Sequence, residues 1–148
     1  MSRREIVVAE ALTWKGTPWH HRARVKGCGV DCAQILAAVY EAAGLVPALD
    51  LGEYPQDWHL HNDRPRFLEI LAQYADPLPE GSLVLPGDIA MFKFGRHAAH
   101  GSIVIAWPLI IHAYRDERAV VLSDVAASPA LTERLDGIWR VRDIEEAG

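Results

Sequence analysis

The chain has 148 residues, half of them hydrophobic, with a formal net charge of -5 and a pI near 5.8. That length suits one domain over residues 1–148 with its own core, and that composition excludes disorder. The acidic balance, with no basic run, argues against nucleic acid as a partner, and no apolar run is long enough for membrane insertion.

The N-terminus, Met1-Ser2-Arg3-Arg4-Glu5, lacks the apolar core and cleavage site of a secretory signal. Synthesis in the cytoplasm is therefore expected, with some other vehicle for any work outside it. Ser2-x-x-Glu5 is a capping box, and Val7, Val8, Ala11, Leu12 and Trp14 follow at helical spacing. Gly16 and Pro18 end this helix. Residues 15–30 form a loop with Trp19, His20, His21 and several basic side chains.

The stretch Gly27-Cys28-Gly29-Val30-Asp31-Cys32-Ala33-Gln34 follows. Asp31 suits a helix N-cap, and Gln34 stands where it can complete a capping box. Cys32 then falls in the first turn of a helix reaching about Ala43. Apolar residues on nearly every side (Ile35, Leu36, Ala38, Val39, Tyr40) mark that helix as buried. At a helix start, backbone N–H groups and the dipole favour a thiolate. Local sequence serves equally a nucleophile and a small buried hydrophobe.

Residues 45–64 read as irregular, and Phe67, Leu68, Ile70, Leu71 and Tyr74 as a short amphipathic helix closed by Pro77 and Pro79. From Leu83 the period becomes that of strands. Asp88–Phe94, Gly101–Trp107, Leu109–Tyr114 and Ala119–Ser123 follow one another with short turns, and Ile138–Val141 is a further strand. Helices first and an antiparallel meander second predict an α+β domain.

A cysteine nucleophile needs a base within reach, and the base needs a third group to orient it. A tight turn near Trp107-Pro108 sets His112 opposite Ser102 or Ile103, diagonal to His100. On a shared face the two imidazoles can meet. A slip of one residue parts them. Taken singly, His100 also reads as a loop histidine and His112 as a half-buried one; together with Cys32 they favour a Cys-His-His site. His20-His21 and His59-x-His61 have spacings a metal could use, though exposed loop histidines read the same way. His97 lies near His100, which is preferred because it directly precedes the apolar strand. Cys28 reads as a loop thiol.

Four motifs carry a resemblance: Gly29-Val30-Asp31-Cys32, Gly87-Asp88-Ile89-Ala90-Met91-Phe92, His100-Gly101-Ser102-Ile103-Val104 and Ile111-His112-Ala113. In that order they resemble the NlpC/P60 family, papain-like cysteine peptidases of bacterial cell walls, over about Trp14 to Ser123. Gly16-Thr17-Pro18-Trp19 and the stretch holding Tyr54, Trp58 and His61 look most like the branch associated with phages and gene-transfer agents. The resemblance implies a papain-like fold and cleavage of peptidoglycan stem peptides, typically between D-glutamate, through its γ-carboxyl, and a diamino acid. It implies Cys32 as nucleophile, His100 as general base and acid, His112 as the orienting group, and Trp19, Asp31 and Gly101 at the substrate. It requires no metal or cofactor. Phage or gene-transfer-agent tail proteins are the implied partners, and a virion the implied carrier to the wall.

The chain departs from the pattern in places. Ala33-Gln34 stands where many relatives have Ser-Gly, and Trp19 where they often have tyrosine, which puts preference for a free N-terminal L-alanine in doubt. One rival reading is a tail-assembly component that uses the fold as an interaction module. Another is a metal-binding module built on Cys28, Cys32 and nearby histidines.

Overall fold

The computed structural model of the chain describes residues 1–52, 66–95 and 97–145, and residues 97–99 by backbone alone. Helix α1 spans Arg3–Leu12 behind the expected capping box: Ser2 Oγ accepts from the Glu5 N–H, and the Glu5 carboxylate accepts from the Ser2 N–H. It buries Val7 and Ala11. The loop after it holds a small hairpin that the sequence did not announce, β1 (Arg24–Val25) and β2 (Gly29–Val30). Helix α2 covers Cys32–Ala42 and is buried on most of its faces, as its composition requires. Helix α3 covers Arg66–Leu71 and puts Phe67 and Leu71 into the core.

The remaining strands are β3 (Ala75–Pro77), β4 (Ile89–Phe94), β5 (His97–Ala106), β6 (Leu109–Tyr114), β7 (Ala119–Asp124) and β8 (Leu135–Val141). They form one six-stranded antiparallel sheet in the order β3-β8-β4-β5-β6-β7. With the helices this is the predicted α+β architecture. Besides the β1–β2 hairpin, two elements differ from expectation. Pro77 does not merely close α3. It ends β3, an edge strand, where a residue without an N–H is tolerated. The last strand does not extend the meander past β7. Helix α4 (Pro129–Arg134), capped by Ser128 with Pro129 at its first turn, carries the chain back so that β8 pairs with β4.

Alternation along the strands divides the core. Ile89, Met91, Ile103, Ile111, Ala113, Val120 and Val141 join the cluster with Val7, Ala11, Leu36, Val39 and Phe67 of the three N-terminal helices. Ala90, Phe92, Val104 and Ile110 join a smaller cluster with Val125 and Leu131. Ile89, Ala90, Met91 and Phe92 are all buried, because both faces of the sheet are covered there.

Asp88 holds these layers in register. Its carboxylate, fully buried, accepts from Arg4 of α1 at 3.0 Å, from Arg140 of β8 at 2.9 Å and from the Leu85 N–H at 2.9 Å. Burial opposes its charge, but Arg140, Leu85 and Arg4 outweigh that and hold its pKa below the ordinary carboxylate value. The Tyr40 hydroxyl of α2 donates to the adjacent Gly87 carbonyl at 2.7 Å. Removing one partner of a buried ion pair strands the others, so Asp88→Ala should lower the unfolding free energy in urea by roughly 3 kcal/mol. A loss below about 1 kcal/mol, the size of an exposed pair, would contradict this role.

Candidate active site

The loop before α2 is built to deliver Cys32. Gly29 is required by close approach: a Cβ there would lie 2.9 Å from His20 Cβ and 3.2 Å from Ala23 Cβ. Cys28 sits exposed in the turn of the β1–β2 hairpin, the loop position expected of it. Asp31, 3% exposed, caps α2: its Oδ1 accepts from the N–H groups of Ala33 at 3.2 Å and Gln34 at 2.9 Å. Its Oδ2 accepts from the Arg22 N–H at 2.8 Å, tying the preceding loop to the same carboxylate. Gln34 gives its N–H to Asp31, while its Oε1 accepts from Arg24 Nε at 2.7 Å. Arg24 also reaches Glu41 and the Leu49 carbonyl.

Cys32 is half-buried at the first position of α2. Its sulfur is approached by the backbone N–H groups of Gly101, Cys32 and Ala33. Gly101 is a glycine for a packing reason. A Cβ there would lie 2.9 Å from Phe67, 3.0 Å from Leu36 and 3.2 Å from Met91. Its bare backbone lets α2 and α3 settle on β5 and brings the sulfur to the His100–Gly101 peptide.

The β5–β6 register pairs Ile103 with Ile111 across the Trp107-Pro108 turn, which one step further sets His112 opposite Ser102. His100 is then diagonal to His112 on one face, and His100 Nε2 lies 2.8 Å from His112 Nδ1. His112 Nε2 lies 2.9 Å from the Ser123 hydroxyl of β7. His112 is 0% exposed and His100 8%. Tyr114 stacks on His112 with centroids 4.6 Å apart, and Phe94 meets His100 edge-on at 5.5 Å. Ser123 was not legible from the sequence; pairing β6 with β7 would have found it, since Ser123 lies opposite Ile110 and hence diagonal to His112.

The electrostatics revise one expectation. Helix-start N–H groups were expected to favour a thiolate at Cys32. Burial instead pushes this thiol well above its ordinary range, and the Asp31 charge adds to it; the N–H groups of Gly101, Cys32 and Ala33 pull down and lose. Burial, and then the proximity of His112, hold His100 well below 6.5. Burial brings His112 down to about 4. Each of these shifts favours the uncharged form of its group at neutral pH.

Trp19 is half-buried, bridged to Val30 beside the Asp31–Cys32 step, with the Arg115 guanidinium 5.7 Å from its ring. His20 is exposed and His21 half-buried. Tyr54, Trp58, His59 and His61, with the cleft-covering or docking role considered for their segment, lie outside the described residues, as does the side chain of His97. Among the described residues, no three His, Cys, Asp or Glu side chains are grouped as a metal site would need, and no helix is long and apolar enough to cross a membrane.

No family model and no curated protein matches the chain. Solved structures do. NlpC1 from Trichomonas vaginalis matches 94% of this chain and 45% of its own, with a TM-score of 0.69 at 14% identity. The peptidoglycan hydrolase RipB from Mycobacterium tuberculosis matches 98% of this chain and 66% of its own, with a TM-score of 0.62 at 15% identity. RipD from the same organism, a non-catalytic NlpC/p60 domain protein adapted to peptidoglycan binding, matches 96% of this chain and 98% of its own, with a TM-score of 0.58 at 14% identity. The fold is therefore that of the NlpC/P60 domain, and the chain spans less than half the length of the NlpC1 chain.

The buried imidazoles make stability depend on pH. Below pH 6.5 the unfolded chain gains protons that the folded chain refuses, so stability falls with pH from 6.5 toward the folded value near 4. For His112 alone the loss is on the order of 3 kcal/mol, at about 1.36 kcal/mol per pH unit. Urea unfolding at several pH values across this window should show it. The fall should shrink in His112→Gln; an equal fall in both proteins would contradict the assignment.

Proposed function

We propose that the chain is a cysteine peptidase of the NlpC/P60 kind, hydrolysing an amide bond in peptidoglycan stem peptides. The observation that carries this reading is the single line of contacts around one peptide bond. Cys32 sulfur stands at the Gly101 N–H, and His100 is linked through His112 to Ser123. The fold shared with RipB, a peptidoglycan hydrolase, supports the choice of substrate. In this reading Cys32 is the nucleophile, His100 the base and acid, and His112 the orienting group. The bond between D-glutamate, through its γ-carboxyl, and a diamino acid is the expected target, with a phage or gene-transfer-agent particle as carrier.

The steps follow from the resting charges. With Nε2 held by His112, His100 has Nδ1 left to take the Cys32 proton as sulfur attacks the carbonyl carbon. The carbonyl π electrons move to oxygen, and the Cys32 N–H at the helix start faces the resulting oxyanion. The C–N bond breaks as the oxyanion collapses, and His100 gives its proton to the departing amine. Water, giving a proton to His100, then adds its oxygen to the thioester carbon. The C–S bond breaks as the second oxyanion collapses, the carboxylic acid departs, and His100 returns the proton to the Cys32 sulfur. A neutral pair reaches its charged state only as the reaction proceeds.

Trp19 walls the cleft beside Cys32. Asp31 contributes by fixing the loop and the helix start. Its oxygens already accept three backbone N–H groups, so recognition of a free amino end would have to compete with the cap.

Incubation with muropeptides, followed by mass spectrometry, should show cleavage that drops by roughly 10³-fold or more in Cys32→Ala and in His100→Ala. Turnover surviving both would overturn the proposal. The acid limb of kcat/KM should lie below pH 6.5, because burial holds both imidazoles down. A limb at an ordinary imidazole value would contradict that cause.

A second reading, a wall-binding or tail-assembly module without turnover, is favoured by one observation: RipD keeps this fold and is non-catalytic. Sacculi that retain the wild-type protein while releasing no fragments would decide for it.

A further inference from the structure

We infer that Ser123 is a positioning residue that sets the direction of the proton chain through His112 and His100, and so decides whether His100 can act as a base. The inference rests on the peptidase reading for its kinetic consequence, but its structural content stands apart from it.

The geometry allows two directions. The contacts Ser123 Oγ to His112 Nε2, and His112 Nδ1 to His100 Nε2, are 2.9 and 2.8 Å long, and each holds one shared proton. In the first direction His112 Nε2–H donates to Ser123, His112 Nδ1 accepts from His100 Nε2–H, and His100 Nδ1 keeps a lone pair. In the second, Ser123 donates to Nε2, His112 Nδ1–H donates to His100 Nε2, and the His100 proton sits on Nδ1. Only the first leaves a base to receive the thiol proton. A neutral imidazole has one donor and one acceptor, so both rings switch together.

Ser123 favours the first direction at the step that matters. Once His100 has taken the thiol proton, both its nitrogens carry hydrogen, and Nε2–H must find an acceptor. His112 Nδ1 is that acceptor only if the His112 proton is on Nε2. That proton then needs an acceptor of its own in a place where His112 is 0% exposed. The Ser123 hydroxyl supplies it, and because Ser123 is half-buried its own proton can turn toward solvent. Without the hydroxyl, a buried N–H would be left unpaired while the charge forms on His100. The remaining surroundings hold the ring but not the proton. Tyr114 stacks on His112 at 4.6 Å and an angle of 18°, and His112 meets His100 edge-on at 5.0 Å. The hydrogen bond to Ser123 is therefore the contact that pairs the His112 Nε2 proton while His100 carries charge.

The strand register places Ser123 without strain. Ser123 pairs with Ile110 and Val121 with His112, so Ser123 and His112 are diagonal neighbours on one face. Threonine has the same hydroxyl and suits a strand; alanine removes only the hydroxyl.

The test uses wild type, Ser123→Ala and Ser123→Thr, each labelled with 15N in histidine. Nitrogen NMR should show His112 in the Nε2–H form in wild type and Ser123→Thr, with Nδ1–H appearing in Ser123→Ala. With muropeptide substrate, Ser123→Ala should lower kcat by roughly 10- to 100-fold, the size of one hydrogen bond lost beside a developing charge. KM should change by no more than about twofold, because the contact strengthens only as charge develops. Ser123→Thr should recover most of the rate. A Ser123→Ala protein that keeps the Nε2–H form, or keeps the wild-type kcat, overturns the inference. If wild type shows no turnover, the peptidase reading fails instead, and the NMR comparison alone decides the role of Ser123.

Discussion

The hydrogen bond between two buried imidazoles, His100 and His112, is the constraint on which the site depends. It requires β5 and β6 to pair in one register, because a shift of one residue would send the rings to opposite faces. It requires a covered sheet, because burial, the larger cause for both rings, holds them in the neutral form and strengthens their contact. The rest of the site comes from α2, whose first residue, Cys32, brings its sulfur to the Gly101 N–H. The absent side chain at Gly101 permits that approach.

Seen this way, the fold is a device for joining parts that are distant in sequence. The loop before α2 is tied down by Asp31, the helix by Tyr40 to Gly87, and the sheet by Asp88 to both α1 and β8. Each tie is a buried polar group that is costly to leave unpaired, so each also specifies one arrangement.

Much of this was legible in the residues. The capping box at Ser2 and Glu5, the N-cap at Asp31 and the apolar surround of α2 announce their helices through local chemistry. The alternation after Leu83 announces strands, and a short turn at Trp107-Pro108 places His112 diagonal to His100. What escaped has physical causes. The return of β8 to β4 is a long-range pairing with no local signal, and β3 is hidden by Pro77, a residue tolerated at the end of an edge strand. The thiol's charge was misjudged because the helix dipole is visible in sequence, whereas burial, the larger effect, belongs to the fold. Ser123 escaped because a serine in a strand carries no mark of the imidazole it faces.

The central proposal, that the Cys32 sulfur and the His100 imidazole exchange a proton across the His100–Gly101 peptide, is tested most directly by chemical bridging. Treatment with 1,3-dibromopropanone, whose two reactive carbons are joined through a single carbonyl, followed by peptide mapping, should yield a Cys32–His100 cross-link that is lost in His100→Ala. Cys32 alkylated at one end only in the wild-type protein, or joined to a different side chain, would contradict the account.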